Sequence, residues 1–391
     1  MKILHIAPNA PYNDYWGYQD NLLPKYHKKM GHDVTVIVPN LMHKDGKIVR
    51  TACADYLLDD GVRVIRLEPK NYPHRVITNV KAKLSVMPYL EEIRPDFVFF
   101  HGLVSDSIYD VVKYKKQINP KCVIVRDNHL DYYNNNQAKN WKQRAVRGYY
   151  RHANKRTVDH VAKVYGVTPW RKTYAEDYFG IPSEKTDVLI MGADDEKIDL
   201  PNRESIRSRL RREYSVGDRE FLVVTGGKID KKKNICQLME AVGEMQNVKL
   251  LIFGQVAQEV KTEFDALLAE HKNIIYIGWI DSDRVYDYFF AADLVVFPGS
   301  HSVIWEQACA CKVPCVFKRW EEMEHVNVCG NSDFLDEITP ETLKQKIEEL
   351  KFTSKYDHMQ KAAQSEETDI YLYSKIAEKS LECGIGYDKD I

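Results

Sequence analysis

Short apolar runs alternate with amphipathic segments of helix length almost from end to end of the chain. This rhythm predicts parallel sheets whose strands are joined by crossover helices. In the first half the runs predict strands at 2–7, 33–39, 62–67, 96–100, 122–126, 161–168 and 187–191, with helices at 18–30, closed by Gly31, and at 105–117. In the second half they predict strands at 221–225, 249–253, 274–277, 294–297 and 314–317, with helices at 234–245, 257–271 and 282–291. A dense Arg/Glu segment at 203–219, with Pro201 before it and Gly217 within it, reads as a solvated connector. The expected architecture is α/β, with two Rossmann-like, doubly wound domains at 1–202 and 203–369. A C-terminal helix at about 370–391 is expected to pack back on the first.

Composition narrows the class. A chain of 391 residues, 44% apolar and 29% charged, is globular and long enough for two cores. With 56 Lys and Arg against 57 Asp and Glu there is no basic excess, which argues against a dedicated nucleic-acid binder. The chain opens directly on a strand and carries no apolar run able to span a bilayer, so a cytoplasmic location is expected. The eight cysteines are scattered except for Cys309, Cys311 and Cys315, which read as a small-residue helix face packed on a strand. No histidine or aspartate set accompanies them at ligand spacing, and no metal is expected.

Two stretches carry the candidate chemistry. The strand ending at Thr225 leads into Gly226-Gly227-Lys228, where the glycines are expected to make a sharp turn, and Lys228 and Lys233 are expected to point back over it. Backbone N–H groups and cations converging on such a turn suit a diphosphate. The strand ending at Phe297 leads into Pro298-Gly299-Ser300-His301-Ser302-Val303, and Glu306 falls in the first turns of the next helix, where it can accept hydrogen bonds from ribose hydroxyls. Gly254 and Gly278 also follow strands, and the base is expected near Gly278-Trp279-Ile280. In the first half, 8–17, His101-Gly102 and Asp127-Asn128-His129 occupy the equivalent strand ends. Ligands of doubly wound sheets bind there, so the polar residues of both halves are expected to converge on an interdomain cleft.

These residues resemble the retaining nucleotide-sugar glycosyltransferases of the GT-B fold, glycosyltransferase family 4 (group 1). The resemblance covers most of the chain and is strongest at about 221–317. It implies that Lys228, standing where the family usually has arginine, and Lys233 hold the donor diphosphate; lysine keeps the charge but not the bidentate fork. The stretch Glu306-Gln307-Ala308-Cys309-Ala310-Cys311-Lys312-Val313-Pro314 matches the family's Glu-Ala-x-Ala-Cys-Gly-x-Pro pattern, which implies a ribose-binding role for Glu306. The family's second glutamate is absent: its position is Pro298. His301 and the backbone of Ser302 and Val303 are then expected to take over contacts to phosphate and sugar. Gly192-Ala193-Asp194 resembles the family's Asn-Gly-Val-Asp turn and is expected to be structural.

The same resemblance places His101 near the transferred sugar, the loop bearing Trp16, Gly17, Tyr18 and Gln19 beside phosphates and acceptor, and Asp127 and His129 on the acceptor side. Asp127 is a candidate to accept the proton of an incoming hydroxyl. Helix capping, turn chemistry and a hydrogen-bonded structural histidine explain these residues equally well.

The implied reaction moves a sugar from a nucleoside-diphosphate sugar, UDP- or GDP-linked, to a hydroxyl of a saccharide or lipid-linked acceptor in cell-surface polysaccharide synthesis. Lys228 and Lys233 would stabilise the departing diphosphate without metal or other cofactor. The run 139–156 combines basic residues with Trp141, Tyr149 and Tyr150 and no acidic residue; it suits either the anionic inner face of a membrane or plain solvation. Other readings are a GT-B sugar-nucleotide epimerase and an inactive, transferase-derived binding protein. A nicotinamide dehydrogenase and a P-loop ATPase lack their glycine motifs here.

Overall fold

The computed structural model describes residues 1–70, 83–133 and 140–385. The chain forms two compact units, one of Met1–Ile190 with the chain from Ile376 onward, the other of Met191–Lys375. Residues 191–202, expected with the first domain, belong to the second unit. There the Ala193 N–H donates to the Tyr371 carbonyl (2.8 Å) and the Tyr373 N–H donates to the Ala193 carbonyl (3.0 Å). Of the expected C-terminal helix, 386–391 lie outside the described residues.

The first unit holds strands β1 (Lys2–Ile6), β2 (Asp33–Pro39), β3 (Leu41–Lys44), β4 (Lys47–Arg50), β5 (Ala54–Leu57), β6 (Arg63–Leu67), β7 (Phe97–Phe100), β8 (Val123–Asn128), β9 (Lys163–Gly166) and β10 (Thr186–Val188). Its helices are α1 (Gln19–Lys29), α2 (Met87–Ile93), α3 (Ser107–Gln117), α4 (Trp141–Thr157) and α5 (Pro169–Tyr174). Eight strands form one sheet in the order β10-β9-β8-β7-β1-β2-β6-β5, parallel except at the β5 edge. β1 and β7 are buried along nearly their whole length because helices cover both faces, so they read as continuous apolar runs. β3 and β4 form a separate hairpin, turned by Asp45 and Gly46 at positive φ.

The second unit is a six-stranded parallel sheet in the order β13-β12-β11-β14-β15-β16. Its strands are β11 (Phe221–Ile229), β12 (Val248–Val256), β13 (Ile274–Tyr276), β14 (Leu294–Phe297), β15 (Cys315–Lys318) and β16 (Ser332–Leu335). Its helices are α6 (Arg203–Glu213), α7 (Ile235–Gly243), α8 (Lys261–Glu270), α9 (Val285–Ala291), α10 (Ile304–Ala310), α11 (Pro340–Leu350) and α12 (Ser354–Ala363); α13 (Tyr373–Ser380) follows. A separate hydrophobic core lies in each unit. The Arg-rich connector is anchored rather than solvated: on α6, Arg207 donates to the carbonyls of Ala291 (2.9 Å) and Ala292 (2.7 Å), and Arg211 pairs with Asp293 at 2.9 Å.

Sheet order sets where ligands can bind. In the first sheet the chain leaves β1 for β2 on one side and reaches β7 on the other; in the second it leaves β11 for β12 and later reaches β14. A crevice opens beyond the carboxyl ends of the strands at each such switch point. Beside the second one, the expected sharp turn is corrected. β11 continues through Gly226, Gly227 and Lys228 to Ile229, with Gly227 paired to Gly254 of β12. Both residues have positive φ, +103° and +122°. A Cβ on Gly254 would lie 1.8 Å from the Gly227 carbonyl oxygen. Gly254→Ala is therefore expected to cost roughly 3 kcal/mol or more, from backbone strain plus overlap. Gly17→Ala meets open space and should stay within about 0.5 kcal/mol. Thermal unfolding of the two variants checks the contrast, and equal midpoints would show that β11 and β12 do not approach in this way.

Candidate functional site

The second unit builds its polar cluster from two loops locked backbone to backbone. After β11, Asp230 accepts from the Lys232 N–H (3.0 Å) and starts a short 3-10 turn over Lys231–Lys233, which ends at Asn234 with φ +53°. The Asn234 amide donates to the Pro298 carbonyl (2.8 Å), and the Ser300 N–H donates to the Lys232 carbonyl (2.9 Å). Gly299 is required here, since a Cβ would lie 2.3 Å from the Lys233 Cα. The Lys233 Nζ donates to the Ser300 carbonyl (2.5 Å) and to the Ser302 Oγ (3.3 Å). Loss of solvent brings its amine down to about 8; Asp230 opposes the shift and Lys228 adds to it. Lys228 itself stands out in solvent, 3.2 Å from Asp230.

Beyond these loops lies a buried carboxylate. Glu306, on the first turn of α10, has no exposed surface, and its Oε1 accepts from His301 Nε2 and His325 Nε2, both at 2.8 Å. Its Oε2 is buried without a hydrogen-bond partner. Burial alone would raise this carboxyl, but the charges and hydrogen bonds of the two histidines outweigh it and hold the group well below the ordinary carboxylate range. The three side chains lie close enough together to hold a metal ion. His325, on the 3-10 turn Glu324–Val326 after β15, was not singled out from sequence. Val303 caps α10 at its start and Ser302 precedes it. Trp279 and Ile280 follow Gly278, whose carbonyl accepts from the Gly254 N–H (2.7 Å); Trp279 is exposed. The cysteine cluster is buried, with Cys309 and Cys315 each turned to a backbone carbonyl.

The first unit holds a second buried carboxylate. Asp127, at the end of β8, accepts from the Gly102 N–H at Oδ1 (2.7 Å) and from His101 Nδ1 (2.8 Å) and His129 Nε2 (3.3 Å) at Oδ2. Burial would raise its carboxyl; His101 first, then His129, hold it far below its ordinary value. The other nitrogen of His101 lies 3.2 Å from His5 Nδ1, so both of its ring nitrogens are engaged inside the fold. Only His129 of this group is substantially exposed. In the adjoining loop, Trp16 stacks on His43 of β3 (5.3 Å between centroids) and meets Tyr18 edge-on (5.4 Å). Gln19 is buried with neither amide atom hydrogen-bonded, which leaves a donor and an acceptor to be satisfied. Asp20 beside it has its carboxyl raised by loss of solvent, against the pull of His101 and His129.

Of the basic run, Lys139 lies outside the described residues and the remainder forms α4, opened by a capping box between Asn140 and Gln143. Tyr150, Ala153, Asn154 and Thr157 face the core, Arg147 stacks over the Tyr178 ring (4.4 Å), and Arg151 donates to the Asp177 carbonyl (2.8 Å). Trp141, Lys142, Arg144, Lys155 and Arg156 are exposed. Tyr132, Arg147, Asp177 and Tyr178 line a cavity of about 360 Å³ beside the helix.

Two doubly wound parallel-sheet units, each with a polar cluster beyond the carboxyl ends of its strands, form the GT-B architecture. Residues 22–197 match the family model "Glycosyltransferase Family 4" and 206–366 match "Glycosyl transferases group 1". Between them the two models take in most of the chain, and it belongs to the group 1, family 4-like glycosyltransferases. The chain is 24% identical over 148 residues to an alpha-galactosylglucosyldiacylglycerol synthase of Streptococcus pneumoniae, a stretch that is 36% of this chain and 39% of that relative. Among solved structures, a glycosyltransferase from Rickettsia africae aligns over 100% of this chain and 99% of its own with a TM-score of 0.72 at 17% identity. HepE of Anabaena, crystallised with UDP, aligns over 98% and 99% with a TM-score of 0.67 at 16% identity.

The Glu306 cluster makes a stability prediction. His325→Ala removes one of two donors to a buried anion and should cost about 1.5–3 kcal/mol at neutral pH, read by thermal or denaturant unfolding. Because folding depresses the Glu306 value, its contribution is complete above about 4.5 and is lost as pH falls below that, so the deficit should narrow in acid. A deficit that grew in acid would show that His325 does not act through the carboxylate.

Proposed function

We propose that the chain transfers a sugar from a nucleoside-diphosphate sugar to a hydroxyl of a saccharide or lipid-linked saccharide, in the synthesis of a cell-surface polysaccharide. The observation that carries this reading is the Lys233 amine, partly stripped of solvent and held by Ser300 and Ser302 a few residues from the buried Glu306, at the β11/β14 switch point. A cation fixed before the substrate arrives costs little reorganisation as charge builds on the departing diphosphate. Lys228, exposed and paired with Asp230, supplies the second cation, and Glu306 takes the ribose. Backbone groups near Gly278, Trp279 and Ile280 take the base, and Ser302 and Val303 the phosphates. The UDP of the HepE structure and the glycolipid named for the pneumococcal relative support a UDP-linked donor and a lipid-linked acceptor.

In the first unit, Trp16, Tyr18, Gln19 and His129 are the acceptor-side residues of this reading. Gln19 carries unsatisfied hydrogen-bonding capacity, and His129 is exposed. In this reading the reaction is retaining, as the family resemblance implies. No helix among the described residues is long and apolar enough to cross a membrane. In this reading the exposed basic residues of α4, with Trp141 at its start, meet an anionic leaflet at the inner face of the cell membrane. An epimerase would turn over the nucleotide sugar with no acceptor, and a binding protein would not turn it over at all; product analysis with and without acceptor separates the three.

Lys233→Ala is expected to weaken UDP binding at least tenfold by calorimetry. The native affinity should fall as pH rises through about 8, where the Lys233 amine of the free protein loses its proton, by at most about tenfold per pH unit. Lys233→Arg should abolish that dependence. A pH-independent affinity in the native chain would remove Lys233 from the phosphate site. The same titration after chelation is expected to be unchanged; loss restored by one divalent cation would assign His301, Glu306 and His325 to a metal instead. Sedimentation with anionic vesicles tests α4. Lys142→Glu with Arg144→Glu should cut binding by about thirtyfold or more, given roughly 1 kcal/mol for each of the two basic residues removed from such a surface, and equal binding by native and variant would detach α4 from the membrane.

A further inference from the structure

The His101–Asp127 pair does not end at His101. His5, near the carboxyl end of β1, presents Nδ1 to His101 Nε2 at 3.2 Å and Nε2 to His27 Nδ1 at 3.0 Å. His27, on α1, presents Nε2 to the Ser380 Oγ of α13 at 2.8 Å and to the Ala377 carbonyl at 3.4 Å. His5, His27 and Ser380 are wholly buried. Three imidazoles in series thus join Asp127 to the chain's last long helix, all within one unit.

The direction of this wire follows from what each end can accept. The Ala377 carbonyl accepts only, so His27 Nε2 carries a hydrogen. The single hydroxyl hydrogen of Ser380 is directed to the Ala377 carbonyl (2.8 Å), which again leaves its Oγ to accept from His27. Burial keeps the inner two rings neutral: it lowers His27 to about 3 and His5 well below its ordinary value. A neutral His27 with hydrogen on Nε2 accepts at Nδ1, so His5 donates from Nε2. A neutral His5 then accepts at Nδ1, so His101 must donate from Nε2. At its other end His101 faces a carboxylate, which also only accepts.

We propose that His5 and His27 are positioning residues that hold His101 in its doubly protonated, cationic form through a one-way hydrogen-bond wire ending on Ser380. The consequence for the reaction proposed above, on which this part rests, is a division of labour. The Asp127 charge is neutralised by a fixed imidazolium, which makes Asp127 a poor proton acceptor, and the exposed His129 is the group left to meet an incoming hydroxyl.

The test is ¹⁵N spectroscopy of the full chain labelled at histidine. Both nitrogens of His101 should carry hydrogen at neutral pH, while His5 and His27 carry it on Nε2 alone. A bare nitrogen on His101, with His5 protonated at Nδ1, would overturn the proposal. His27→Phe keeps a flat ring but removes the acceptor for His5, and should strip the second hydrogen from His101. His27→Asn, whose side-chain oxygen stands near the place of Nδ1, should restore it. Turnover is expected to follow the same pattern, with kcat about tenfold lower in His27→Phe, recovered in His27→Asn, and KM for UDP-sugar unchanged in both. Should His101 keep both hydrogens in His27→Phe, His27 has no positioning role. The spectra do not depend on activity, so the expected protonation pattern in a chain without transferase activity would leave the wire standing and remove only the proposed reaction.

Discussion

Each unit of this chain buries one carboxylate completely at the carboxyl end of its sheet, and each carboxylate is held between two histidines. Asp127 has His101 and His129; Glu306 has His301 and His325. An ion moved out of water is tolerated in a protein interior only when its hydrogen-bonding capacity is met. The surrounding structure is shaped by that demand. The turn at His101-Gly102 delivers a backbone N–H to Asp127, and the turn after β15 brings His325 back to α10. The two solutions differ in completeness, for both oxygens of Asp127 are bonded whereas Glu306 keeps one in reserve.

The sheets were legible because their strands are buried on both faces. A parallel strand covered by helices carries a near-continuous apolar run, and β1, β2, β7, β8, β11, β12, β14 and β15 each contain one. The strands that escaped, β3, β4, β5 and β16, are short pieces at sheet edges or in the separate hairpin. β3, β4 and β5 are exposed or half-exposed edge pieces with mixed side chains, although Asp45-Gly46 between β3 and β4 is a recognised hairpin signal and should have been read. The glycines after Thr225 were visible as special, but their purpose was not. They permit close approach to β12 rather than a reversal of the chain.

The residues of the two candidate clusters were legible one at a time and not as networks. Lys233, Glu306, His101 and Asp127 sit at strand ends, where position alone raises suspicion. His325 lies on an irregular turn, and His5 and His27 are single polar residues in apolar surroundings; nothing in spacing distinguishes a histidine satisfied by its own backbone from one linked to three others. Pairings such as His27 with Ser380 join residues of one unit that are separated in sequence by the whole of the other.

The glycine pair between β11 and β12 also bears on how this chain can change. The obstacle to a side chain at Gly254 is the carbonyl oxygen of Gly227, which is backbone and belongs to every amino acid. No replacement elsewhere can make room for it in the way that a trimmed neighbour makes room for a larger core residue. The strip is therefore entrenched: variation in this part of the sheet must enter through the loops that follow β11 and β14, over a floor of main chain that accumulated substitution cannot remodel.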